Sequence, residues 1–369
     1  MMRCCGTYIF SGLFTQGVLD GGHEVVAHLE DGDFGVLTSK LNWPNMAHFV
    51  IRDRWPRAHL KDMELDFLYG NPPCAGFSMA SRNRGADNPL NAHLGHANQL
   101  GWDIRPKAFA VESVTQMFQT GDEIVSEWER QWHDIGYQTC RLWENSGHLG
   151  LPQERKRAIF VAAKANLDFS YPREKSAATV RDAIYDLKDV PAVEKGRFTP
   201  QPQPYAAFAT TAFQAMARLN SSQVTWHCYQ KMNRGLGTLL PHLEPGKRVR
   251  SISDAIYEET YWKEGVGAER HRGGKPSFLV ARLNWDRPSS VITGGITYVH
   301  PEHDRFLTVR ECARLMGLPD RFDFSNSAHA YAEIGKAVSP YVGKWLSGQI
   351  SDILQDPQGR VHKSEVKLL

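Results

Sequence analysis

The stretch Asp66-Phe67-Leu68-Tyr69-Gly70-Asn71-Pro72-Pro73-Cys74-Ala75-Gly76-Phe77-Ser78 constrains the fold more than any other part of the chain. An apolar run that stops at Gly70 reads as a buried strand, and the Pro-Pro pair then permits neither a ladder nor a helix. The result is a stiff, extended turn that delivers Cys74 to the carboxyl end of the strand. A cysteine there is either a packed apolar residue or a reactive thiol. Two prolines without N–H groups, a glycine at 76 that permits close approach and a helix-capping type of residue at Ser78 favour the exposed nucleophile.

Units of the same kind surround it. Tyr8–Gly12 reads as a strand, Leu13–Gly17 as a turn, Val18-Leu19 as the opening of a helix that stops at Gly21-Gly22, and His23–Leu29 as a second strand ending at Glu30. That order matches one half of a doubly wound nucleotide-binding sheet, in which the acid accepts ribose hydroxyls; a surface glutamate is the plainer alternative. Pro106–Val111 is another apolar strand, with Glu112 at its carboxyl end beside the Cys74 turn. Asp122–Ile135 has helical periodicity, and Tyr137–Trp143 and Ala158–Ala163 read as strands flanking Leu151–Arg157. In an extended segment Gln153, Arg155 and Arg157 share one face, which suits a substrate edge or a phosphate, with a solvated charge run as the alternative. Ser81–Ala97 is polar and loop-like, and Arg82 and Arg84 within it either meet phosphates or remain solvated. The expected fold is α/β, a mostly parallel doubly wound sheet.

From Lys164 to Asp286 the chain becomes proline-rich and irregular, with basic pairs and exposed-looking aromatics such as Trp226. It is expected to form a smaller domain over 164–286, between catalytic segments 1–163 and 287–355. In the later segment Ser289–Thr293 resumes a strand, Thr308–Met316 is an amphipathic helix, and the run Glu333–Pro340 introduces a last helix through Ile350. Residues 356–369 form a charged tail, expected to fray.

Composition adds exclusions. Hydrophobic residues make up 41% and charged residues 23% of the 369, ordinary for a globular protein. No stretch has the length of a membrane span and the amino terminus has no signal-peptide run. The six cysteines lack metal-type spacing, so neither a metal site nor a disulfide framework is expected and a cytoplasmic setting is. A net charge of +2 permits an anionic partner without naming one.

Taken together, Phe10-Ser11-Gly12, Glu30, Gly70–Ser78, Glu112-Ser113-Val114, Gln153–Arg157, Arg305–Met316 and Gly335-Lys336-Ala337-Val338, in this order, resemble the cytosine-C5 DNA methyltransferase family. The resemblance covers most of the chain. It implies an S-adenosylmethionine-dependent, Rossmann-like catalytic domain, a target-recognition domain, and base flipping of a cytosine from double-stranded DNA. Cys74 would add at C6, Glu112 would hold the N3 edge, and Arg155 and Arg157 would brace the adduct. Phe10, Gly12, Glu30, Asp53, Pro72, Lys336 and Val338 are placed around the donor, and Ser78, Arg82, Arg84 and Gln153 at the DNA. A monomer in a bacterial or phage-infected cell is the expected setting.

Three positions depart from the family pattern. Gly12-Leu13-Phe14-Thr15-Gln16-Gly17 is poorer in glycine, Ser113 stands for an asparagine, and Lys336 stands for another. Two like charges about 4 Å apart repel by roughly 4 kcal/mol at an effective dielectric near 20, so a lysine beside a sulfonium is unfavourable unless the transferred group is anionic. Carboxy-S-adenosylmethionine carries such a carboxylate and would yield 5-carboxymethylcytosine. Alternatively, Lys336 turns to a DNA phosphate or to Glu333, with S-adenosylmethionine and methyl transfer retained. A tRNA methyltransferase and a catalytically silent DNA-binding protein are the remaining readings.

Overall fold

The computed structural model describes residues 1–30, 35–50, 56–73, 76–77, 91–170, 177–194, 201–232, 234–262, 280–295, 297–358 and 365–368. Two compact units divide the chain: Met1–Ala177 with Ala337–Leu369, and Ala178–Lys336. Residues 287–336 thus cluster with the second unit, whereas the sequence pattern alone groups them with the first.

In the first unit the strands are β1 (Arg3–Thr7), β2 (Glu24–Glu30), β3 (Ala47–Val50), β4 (Phe67–Gly70), β5 (Ala108–Ser113), β6 (Gln138–Asn145) and β7 (Lys156–Ala163). They lie in the order β6-β7-β5-β4-β1-β2-β3, and Glu365–Leu368 adds an eighth strand outside β6. Every pairing is parallel except those of β7 with β5 and β6. The direction of winding reverses between β1 and β4, so the crevice at the carboxyl ends of these two strands is where such a sheet accepts a ligand.

Alternation along each strand fills both faces. Phe109, Val111, Phe160 and Ala162 point to one side, under Leu94, Ala97 and Leu100 of α4 (Ala92–Ile104) and Val125, Trp128 and Trp132 of α5 (Asp122–Asp134). Ala108, Ala110, Cys140, Leu142, Ile159 and Val161 point to the other, under Phe14 and Val18 of α1 (Leu13–Asp20) and Val342, Leu346 and Ile350 of the C-terminal helix Pro340–Gln355. These two helices cross at a pair of glycines: a Cβ on Gly17 would stand 2.1 Å from the Pro340 carbonyl oxygen, and one on Gly343 2.5 Å from that of Phe14.

Several expected boundaries move. The first strand is Arg3–Thr7, and Tyr8–Gly12 is a turn in which Tyr8 and Phe10 have φ of 50° and 52°. The first helix starts at Leu13, five residues before Val18. Ser289–Thr293 forms no strand. The end of the tail is not frayed, since Glu365–Leu368 pairs with Arg141–Glu144.

The second unit carries short helices and two-residue ladders, among them the helices Val180–Ile184, Val309–Leu315 and Ser327–Lys336. Val309–Leu315, expected to be amphipathic, is buried all round. Its polar side chains are matched internally: Glu311 receives both guanidinium nitrogens of Arg305 at 2.8 Å and closes a capping box with Thr308, while Arg314 bonds Asp320 and Asp186. Trp226 is likewise buried, its Nε1 donating to Asp323.

Candidate active site

The carboxyl ends of β4, β5 and the start of β7 bring together Asn71, Glu112 and Arg157. β5 alternates Ala108, Ala110, Glu112 toward the α1 face, so the strand itself aims Glu112 inward at the crevice edge. Glu112 is 2% exposed. Its Oε2 accepts the Asn71 side-chain amide at 2.5 Å, and its Oε1 lies 3.1 Å from Nε of Arg157. Asn71 directly follows β4, one residue before the Pro-Pro turn. The acid is therefore tied to the segment that leads into Cys74. Burial raises the Glu112 pKa above the usual carboxylate range, while Arg157, Arg155 and Asn71 pull the other way.

The alternation expected at the arginine segment is present: Gln153 and Arg155 are buried and Arg157 is half-buried, while Glu154 and Lys156 are exposed. Arg155 donates from its Nη2 to the Ala337 carbonyl at 3.0 Å, which anchors the residue after Lys336 to this cluster. Lys336 itself is exposed at the end of its helix, and its stem would touch a Cβ built on Gly294. Val338 is buried in the apolar layer beneath the sheet with Phe14 and Val342.

At the other side of the switch point Glu30 ends β2, 6% exposed, and its Oε2 accepts the Phe10 backbone N–H at 2.9 Å. Phe10 has the left-handed φ noted above, and Gly12 caps α1 at φ 92° with a Cβ position only 2.4 Å from the Trp43 ring. Only glycine fits at Gly12. Left-handed non-glycine residues are costly and persist here because the Glu30 carboxylate holds the Phe10 N–H. Pro72 is buried at the end of β4. Along the same edge Thr7 Oγ1, Ser11 Oγ, Asn71 Oδ1 and Ser113 Oγ are buried without a hydrogen-bond partner among the described residues. This donor and acceptor set fits a polar nucleoside-type group at the crevice. Cys74, Asp53, Ser78, Arg82 and Arg84 lie outside the described residues.

Three groups were not singled out from the sequence. Asn71 supplies Glu112 with an amide from a segment other than the one carrying Ser113. Glu144, on β6, is fully buried, with its pKa pushed up to about 8 by desolvation and by Glu112, against Ser146 and the two arginines. The third is a hydrogen-bonded relay among largely buried residues: Tyr69 Oη to Thr15 Oγ1 at 2.6 Å, Thr15 to His28 Nε2 at 2.7 Å, His28 Nδ1 to Ser39 Oγ at 2.7 Å, and Ser39 to His48 Nε2 at 2.8 Å. Its polarity is fixed by the last link. His48 Nδ1 faces the Met46 carbonyl, so it carries the proton, and each upstream hydroxyl and imidazole is then one donor and one acceptor in turn.

The sequence model of C-5 cytosine-specific DNA methylases matches residues 9–352. The chain belongs to this family. Among curated relatives, the Type II methyltransferase M.AgeI of Thalassovita gelatinovora is 26% identical over 78% of this chain and 83% of its own length. M.XorII of Xanthomonas oryzae pv. oryzae is 25% identical over 96% and 86%. Among solved structures, a protein assigned as a DNA modification methyltransferase and encoded within an E. coli prophage superposes with a TM-score of 0.76, covering 96% of this chain and all of that one at 19% identity. This C-5 methylase is thus a DNA (cytosine-5)-methyltransferase-type transferase of the S-adenosylmethionine-dependent fold, with DNA as the family's substrate. Among the described residues no helix is long and apolar enough to cross a membrane, and no cluster of three or more metal-type side chains occurs.

Proposed function

We propose that this methylase alkylates C5 of a flipped cytosine in double-stranded DNA, and that Lys336 selects carboxy-S-adenosylmethionine as the donor, giving 5-carboxymethylcytosine. The buried Glu112 carboxyl, held between the Asn71 amide and Arg157 at the end of β5, carries the alkylation reading. C5 of cytosine is a weak nucleophile. The Cys74 thiolate adds at C6, Glu112 shares a proton with N3 as the ring gains electron density, and C5 becomes able to attack carbon. The donor's sulfonium supplies that electrophilic carbon. Loss of the C5 proton to a base or water then expels Cys74 as thiolate. Arg155 and Arg157 brace the adduct, Glu30 takes the ribose, and Phe10, Gly12, Asp53, Pro72 and Val338 line the donor pocket. Ser78, Arg82, Arg84 and Gln153 are assigned to the DNA; Gln153 is fully buried in this structure, so that role needs it to become accessible. A single copy would serve one duplex in the cytoplasm of a bacterial or phage-infected cell, with the second unit reading the target.

The donor assignment is supported by the sequence, in which Lys336 stands where the family pattern has an asparagine, directly before Ala337. An exposed ammonium there favours a carboxylate on the transferred carbon and disfavours a bare sulfonium. Nucleoside mass spectrometry of unmethylated duplex genomic DNA, incubated with each donor separately and in competition, tests this. Carboxymethylcytosine is expected to dominate, with Lys336→Asn shifting the product toward methylcytosine. Methylcytosine alone from the unaltered protein overturns the donor assignment and leaves the alkylation intact.

A further inference from the structure

Glu144 is a buried acid that the reaction scheme above does not use. Strand alternation puts it on the same face as Glu112. Cys140, Leu142 and Glu144 of β6, Arg157 and Ile159 of β7, and Ala110 and Glu112 of β5 all point to the α1 side. In the ladders Glu144 is directly opposite Arg157, and Glu112 is opposite Ile159, two residues along the same strand. Arg157 therefore stands between the two carboxyls, with Cβ atoms of directly paired residues about 5 Å apart. Its Nε engages Glu112.

The remaining neighbours of Glu144 tie it to the other arginine. The Ser146 hydroxyl lies 3.0 and 3.3 Å from the two Glu144 oxygens and 3.3 Å from the Arg155 carbonyl, and the Ser146 N–H also donates to that carbonyl at 3.0 Å. Among the described residues, the groups facing Glu144 include Arg157 and Arg155 from the β7 segment, Glu112 from β5 and Ser146 from the turn after β6. Its register partner on the outer strand is the uncharged Leu368. Both buried acids feel the positive charge of Arg155 and Arg157 at this corner of the sheet.

We propose that Glu144 is the second member of a buried carboxyl pair with Glu112, and that the pair, rather than Glu112 alone, retains the proton that cytosine N3 takes up. This rests on the C5-alkylation reading. Carboxyls coupled through shared arginines titrate as a pair, so one proton stays in the cluster through neutral pH. When the thiolate–C6 bond forms, that proton moves to N3. When the C5–H bond breaks and the thiolate leaves, N3 returns it, and the net proton released comes from C5. Glu144 acts through Glu112 and Arg157 and is a positioning residue.

The test is the pH profile of single-turnover cytosine modification on unmethylated duplex genomic DNA, supplied with both donors. The unaltered protein should lose rate above about pH 8. Glu144→Gln keeps the shape but leaves Glu112 to hold the proton by itself, so the alkaline limb should move toward acid by about one pH unit or more, with rate recovered at lower pH. Glu144→Asp should restore part of the wild-type limb. A limb that stays put while the rate falls equally at every pH makes Glu144 merely structural and overturns the proposal. Should the variants not fold, infrared titration of the unaltered protein decides. The carbonyl stretch of a buried protonated carboxyl should vanish near pH 8, and no such loss between pH 6 and 9 refutes the pair. Failure of the alkylation reading looks different, since the unaltered protein then modifies no cytosine at any pH.

Discussion

Thr15→Val should destabilise the first unit far more than the loss of one methyl-sized hydroxyl suggests. Thr15 Oγ1 accepts from the Tyr69 hydroxyl and donates to His28 Nε2, and all three side chains are almost wholly buried. Valine keeps the volume but leaves the phenol without an acceptor and the imidazole nitrogen without a donor. Each orphaned buried group costs about 1–3 kcal/mol, so the substitution should cost about 2–6 kcal/mol. Tyr69→Phe removes only the head of the relay, because Thr15 still donates to His28, and should cost about 1 kcal/mol. In the double variant no phenol is left to orphan, so its cost should fall short of the sum of the singles by about 1–2 kcal/mol. Urea unfolding followed by circular dichroism gives the three values, and amide exchange in β2 and β4 localises the loss to this unit. A Thr15→Val cost below about 1 kcal/mol, or strict additivity in the double variant, would refute the one-way relay.

Two further outcomes follow from the same physics. Burial holds the imidazole pKa well below 6.5 at His28, down to about 4 at His227 and to about 3 at His300. The unfolded chain therefore binds protons below pH 6.5 that the native protein does not, so their stability is fully present above that pH and is lost as the pH falls, at up to about 1.4 kcal/mol per unit for each residue. The urea midpoint should decline steadily from pH 6.5 downward, and a flat profile to pH 5 would contradict it. Gly17→Ala places a methyl on the Pro340 carbonyl oxygen at the helix crossing. It should cost about 1–3 kcal/mol or more by overpacking, read as a lower melting temperature, and an unchanged one would mean that the helices do not cross so closely.

What the sequence disclosed depended on the range of the forces involved. The strand Phe67–Gly70, the helix Asp122–Asp134 and the alternation at Gln153, Arg155 and Arg157 were legible because period and punctuation are local. Tyr8–Gly12 was misplaced because aromatic and apolar residues in a left-handed turn look like a strand, while the real strand, Arg3–Thr7, has little β-branched character. Gly17 looked like a turn because nothing nearby in sequence reveals that Pro340 needs the space. The helix Val309–Leu315 looked amphipathic because its polar face is satisfied by acids, one of which, Asp186, is more than a hundred residues away. Glu144 was hidden for the converse reason: it continues the inward phase of an apolar strand, and only register with Arg157 and Glu112 shows why a carboxyl is tolerated there.

The discontinuity of the first unit has a consequence for synthesis. On the α1 face its sheet is covered by α1 and by the helix Pro340–Gln355, and that second helix follows the whole of the second unit in sequence. A chain growing from its amino terminus must therefore leave the part of that face that Val342, Leu346 and Ile350 bury uncovered while the second unit emerges from the ribosome. The buried Glu112 corner, tied to Ala337 through Arg155, is completed only after the second unit has been made. A product stalled within the second unit would hold Glu112, Asn71 and Arg157 without that anchor, so the order of the chain, and not only its contacts, governs when this corner closes.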